Sequence, residues 1–219
     1  MAPRRTGALA LGIGLGLGLG PALGRATIEE QRQRLPPPAF ECGDDPIAGV
    51  WQAHTYYGHV GQWYTFALDV RRDADDPSGA ALRGTIQVVF WDGDASRSQP
   101  PLCDAPGDRG EVFESARGEA RGLELRFDAV DWRDTGACGG IGGGYLLDRF
   151  SGTVDPERME FQSVLNADAP QWRDVPTVFR RVRCPPPDAS AEPEPEPRVV
   201  LAPPPYAPPE REGCGLRGG

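Results

Sequence analysis

Across residues 46–184 apolar and polar positions alternate with a period of two, the pattern of strands that bury one face. The stretch 48–70, AGVWQAHTYYGHVGQWYTFALDV, predicts the first hairpin, with a strand over 50–57, a tight turn over 58–61 and a return strand over 63–70. A third strand is predicted over 82–91, with Leu82, Ile86, Val88 and Phe90 on one face, and a short fourth over 111–116. The fifth, 123–130, puts Leu123, Leu125, Phe127 and Ala129 on one side. Strands over 145–154, 159–165 and 178–183 complete the series, and long loops interrupt it at 92–110 and 133–144. No window carries an apolar 3.6-residue period. Eight sequential strands joined mostly by short turns predict an all-β domain, an eight-stranded antiparallel up-and-down β-barrel. A β-sandwich is the rival architecture.

The flanks break the pattern. Arg4 and Arg5 precede an uncharged Gly- and Leu-rich run over 7–24, and Ala22-Leu-Gly24 sets small residues before Arg25. That order predicts a signal peptide over 1–24, with an uncleaved anchor as the rival reading. A leader over 25–45 follows, in which Thr27-Ile-Glu-Glu30 fits a capping box and predicts a short helix reaching Leu35. The barrel domain is expected over 46–184. Residues 185–219 hold eleven prolines, including Glu192-Pro-Glu-Pro-Glu-Pro197, and predict a disordered tail.

Charge and cysteines then narrow the compartment and the chemistry. The net charge of −9 argues against nucleic acid, whose phosphates need a basic face. All 23 basic residues are Arg, which excludes lysine-based Schiff-base and P-loop chemistry. Export to a secreted or periplasmic location is expected, with no transmembrane span after signal cleavage. In an oxidising compartment Cys42, Cys103, Cys138 and Cys184 form two bridges by one of three connectivities. Cys42 precedes the first strand and Cys184 ends the last, so closure makes them neighbours. The expected pairs are therefore Cys42–Cys184 and Cys103–Cys138, the second joining the two long loops. No pair has the C-x2-C spacing of a zinc site. Cys214, the odd cysteine, is a candidate for an intermolecular disulfide.

The first hairpin concentrates the candidate site: two of the five Trp, three of the five Tyr and both His lie there. Trp51, His54, Tyr57, Trp63 and Trp91 are the candidate ligand-lining residues, with Tyr64 and Trp132 beside them. The alternative is that these rings fill the barrel or close one end of it. Asp128 and Asp131 stand on the presumed outer face of the fifth strand, and the acidic clusters at 73–76 and 92–94 match no calcium loop. No catalytic residue, metal or cofactor is assigned.

Gly49-Val50-Trp51 is similar to the Gly-x-Trp that opens lipocalin-type and avidin-type barrels. The paired segments Leu82-Arg-Gly-Thr-Ile86 and Phe150-Ser-Gly-Thr-Val154 resemble the Gly-Thr strand segments of avidin-like proteins. The lipocalin Thr-Asp-Tyr turn is absent, and no residues after Trp51 match the biotin-binding Asn and Ser of avidins. The resemblance therefore implies an architecture and no site. Three functions fit: an exported barrel that binds a small apolar molecule or an envelope protein, an extracytoplasmic hydrolase using carboxylates or His54, and a structural envelope protein.

Overall fold

The computed structural model describes residues 27–39 and 42–185. The expected signal peptide, most of the Pro-rich tail and Cys214 lie outside the described residues. Eight strands follow in order: β1 (Gly49–Tyr57), β2 (Gln62–Arg72), β3 (Ala81–Asp92), β4 (Gly110–Arg121), β5 (Glu124–Asp134), β6 (Arg149–Asp155), β7 (Glu160–Asn166) and β8 (Val175–Arg183). Each pairs antiparallel with its neighbour, and β8 returns to β1 to close the barrel.

The alternation decides which side chains face inward. Val50 apart, burial along β1 follows period two through Trp51, Ala53, Thr55 and Tyr57. Phe66, Leu68, Val70, Ile86, Val88, Phe127, Phe150, Phe161 and Phe179 meet in one core. The phenylalanines interlock: Phe150 stands edge-on to Phe66 and Phe179 at ring separations of 5.2 and 4.8 Å. Each such buried ring contributes about 1.5–3 kcal/mol of transfer free energy, so a filled interior is the main source of stability. The paired Gly-Thr segments have a packing reason. Gly84 of β3 and Gly152 of β6 sit where a Cβ would collide with the carbonyl oxygens of Asp69 and Gln162 on the adjacent strands.

One end of the barrel is shut. The Trp51 indole donates to the Ile47 carbonyl at 2.8 Å and packs edge-on against Phe161. Arg181, on the inner face of β8, lies 5.6 Å from the centre of the Trp51 ring and donates to the Asp45 carbonyl. Gly49 is required beside it: its φ is +135°, and a Cβ there would meet the Arg183 carbonyl oxygen at 2.6 Å. The Cys42–Cys184 disulfide ties the incoming and outgoing chain at this end, and Cys103–Cys138 joins the loops at the other, the pairs that barrel closure predicts.

Helix α1 (Ile28–Arg34) forms with the expected capping box, Thr27 receiving from the Glu30 amide and Glu30 receiving from the Thr27 amide. It closes a gap in the wall. The recorded β1–β8 pairs end at Gln52↔Arg180. Beyond that point the buried Gln31 side chain donates to Pro176 O at 3.0 Å and accepts from Val178 N at 2.9 Å. Four strands depart from the sequence-based bounds. β4 runs on to Arg121, β5 takes in a bulge opposite Ser115/Ala116, β6 begins only at Arg149 because 145–148 leave the sheet toward the open end, and β8 begins three residues early, at Val175.

Candidate functional site

The candidate residues from the first hairpin separate onto two faces. Trp51 belongs to the closed end, and Tyr57 faces inward near the open end. Trp63 and Trp91, paired across β2 and β3, face outward. They stack at 6.2 Å with their planes 9° apart, and Tyr56 and His54 lie against Trp63. The 94–97 loop covers them, its Asp94 and Arg97 carbonyls each accepting an indole N–H at 2.9 Å. Arg34 at the end of α1 sits 4.8 Å above the Trp63 ring. His54 is enclosed by this cluster. Burial, reinforced by the Arg34 charge, pushes its imidazole down to about 4, so it is neutral at physiological pH. Asp128 pairs with Arg126 on the outer wall.

The open end gathers a different set. Tyr57 and Tyr64 from β1 and β2, Phe90 from β3, Trp132 from β5, Tyr145 from the β5–β6 loop and Trp172 from the β7–β8 loop form a ring of aromatics at the mouth. Consecutive rings are 5.1–6.1 Å apart, from Trp172 through Tyr57, Tyr64, Phe90 and Tyr145 to Trp132. Tyr64, Phe90, Tyr145, Leu165 and Trp172 line a cavity of about 340 Å³, with Asp148, Gln62 and Gln171 at its edges. A larger recess of about 460 Å³ lies over Glu119, Arg121, Glu124, Arg126, Ser151 and Thr153. It is a shallow polar hollow on the outer wall, and the concave apolar mouth is the better ligand site.

Behind the mouth lies a feature that reading by residue type passed over. Glu114 of β4 points into the barrel, fully buried, and its Oε1 accepts from the Asp148 amide at 3.2 Å. Asp148, also buried, accepts from the Tyr145 hydroxyl at 2.9 Å. The two carboxyl groups are within hydrogen-bonding reach of each other. Burial first, and for Glu114 the Asp148 charge as well, drive both carboxyls well above the ordinary carboxylate range. Glu114 Oε2 has no donor. As a neutral acid it becomes a donor, and a proton held between the two carboxyls satisfies both. Strand parity carries the signal: Glu114 shares its face with Val112 and Ala116, and Asp148 with Phe150 and Val154.

Among the described residues no group of His, Cys, Asp and Glu is arranged to hold a metal ion. No helix among them is long and apolar enough to cross a membrane. Fold and site together define a closed up-and-down barrel with a filled interior, one shut end and one aromatic mouth. Compared with known protein families, with characterised proteins and with solved structures, the chain matches none.

Proposed function

We propose that this is an exported barrel that binds a small, largely apolar molecule at its open mouth. One observation carries the reading: a cavity of about 340 Å³, lined by Tyr64, Phe90, Tyr145, Leu165 and Trp172, at the open end of the barrel. Two disulfides support an oxidising compartment, and the Arg-led uncharged run ahead of Arg25 supports secretion or delivery to a periplasm. The hydrolase reading has less support, because His54 stands on the outer wall, separated by that wall from the buried carboxyls.

Native mass spectrometry of the protein recovered from its own host tests both parts. The expected result is a chain beginning at Arg25 with a small molecule retained, and loss of that adduct in Trp172→Ala. A chain beginning at Met1 in the cytosolic fraction counts against export. A ligand-free protein that also fails to take up apolar aromatic probes overturns the binding reading.

A further inference from the structure

We propose that the ligand of the mouth carries a protonated amine, with its apolar body among the mouth aromatics and its N–H donors on Asp148, the member of the Glu114–Asp148 pair that lines the cavity. This rests on the binding reading above and names the class of ligand. Three observations lead to it. First, three side-chain hydrogen-bond donors lining the cavity are already engaged. Tyr145 donates to Asp148, Tyr64 to Gln62 Oε1, and Gln62 Nε2 to Asp92. What remains on offer at Asp148 is acceptor capacity.

Second, among the described residues the acid pair has no cationic partner. Neither carboxyl is acted on by an arginine, and Arg149, adjacent to Asp148, turns away to Asp168 at 2.8 and 2.9 Å. Buried carboxyls are ordinarily paired, so an unpaired couple behind an open cavity leaves room for a cation from outside. Third, Tyr64, Phe90, Tyr145 and Trp172 line the same cavity as Asp148, and aromatic faces attract ammonium groups.

The proton balance follows. In the empty site one proton is held between the two carboxyls. That pair already carries one negative charge, so an incoming ammonium donates to Asp148 and is neutralised with no proton released; in acid the pair takes up a second proton, which must pass to solvent before the cation binds. Affinity therefore rises with pH until the amine itself deprotonates. The other titratable groups facing the pair are Tyr57 of β1, Tyr64 of β2 and Tyr145 of the β5–β6 loop, and Asp92 acts on Tyr64 from the end of β3. Burial raises all three phenols, so they stay neutral across this range and the pH response belongs to the carboxyls.

The test is an NMR titration of the full chain with phenethylamine and tryptamine, against their neutral counterparts 2-phenylethanol and tryptophol. The amines are expected to bind at least about tenfold tighter than the alcohols, as a charge-assisted hydrogen bond in a dry site allows. Their affinity falls about tenfold between about pH 8 and about pH 6, while that of the alcohols stays constant. Asp148→Asn brings the amines down to the level of the alcohols and leaves the alcohols unchanged. The wild-type pH series needs no variant and decides the matter if the substitution unfolds the barrel. Equal, pH-independent binding of amines and alcohols overturns the amine inference and leaves the mouth as an apolar site. Failure of every probe to shift the resonances of Tyr145 and Trp172 overturns both readings.

Discussion

His54 shows how a single titratable residue can serve stability and stand apart from chemistry. It is held neutral among Trp63, Trp91 and Arg34, with its imidazole lowered from 6.5 to about 4. The unfolded chain takes up a proton near 6.5 and the folded protein does not until about 4. The stability His54 provides is therefore present above pH 6.5 and is lost as the pH falls toward 4, by up to about 3 kcal/mol. Urea unfolding of His54→Gln at a series of pH values is expected to show a flatter acid limb than the wild type. An unchanged limb would mean that His54 is solvated and that acid sensitivity arises elsewhere. The Glu114–Asp148 pair works in the opposite sense, since its raised carboxyls favour the folded state in acid and lose that advantage as the pH rises. At this scale the sequence was half legible. The apolar parity of Glu114 and Asp148 could be read from the strands alone. Their meeting could not, because it depends on β6 starting at Arg149 and on the loop carrying Tyr145 back over the mouth.

Elements were legible where alternation ran unbroken. The first three strands lie within two residues of their expected bounds, because Phe66, Leu68, Val70, Ile86 and Val88 mark the inner face without a gap. The expected β4 is shorter because past Ala116 the inner face carries only Gly118 and the small Ala120 between charged outer residues, a weak apolar signal. In β5 the bulge shifts parity, so Trp132 packs toward the core two strand positions after Val130 points to solvent. The role of α1 was not legible either. A capping box predicts a helix, but not that Gln31 would take the place of a missing strand pair. That placement makes a prediction. Gln31→Met keeps the size of the side chain but leaves Pro176 O and Val178 N without their buried partners. It is expected to destabilise the barrel by about 2 kcal/mol in urea, within the range for unsatisfied buried backbone groups. A loss under about 0.5 kcal/mol, the ordinary surface value, would show that the helix merely rests on the wall.

The whole molecule divides its tasks between its two ends, and the two disulfides follow that division. Cys42–Cys184 spans 142 residues of sequence and fastens the shut end, where Arg181, Trp51 and Gly49 bring β8 against β1. Cys103–Cys138 spans 35 residues and ties the β3–β4 loop to the β5–β6 loop beside the mouth. The chain-entropy relation assigns about 5 kcal/mol to the first closure and about 4 kcal/mol to the second. Those values are similar, so stability alone would hardly tell the bridges apart; binding should. The second bridge anchors the loop that supplies Ile141, Tyr145 and Asp148 to the cavity, whereas the first touches none of its lining. Cys42→Ser/Cys184→Ser is therefore expected to lower the urea midpoint by about as much as the other pair does, with affinity for a mouth-binding aromatic probe unchanged while the barrel stays folded. Cys103→Ser/Cys138→Ser is expected to weaken that probe several-fold under conditions where circular dichroism still reports a folded barrel. Equal losses of affinity in the two double variants would show that the mouth loops hold their shape without the bridge and that both disulfides act only on the stability of the barrel.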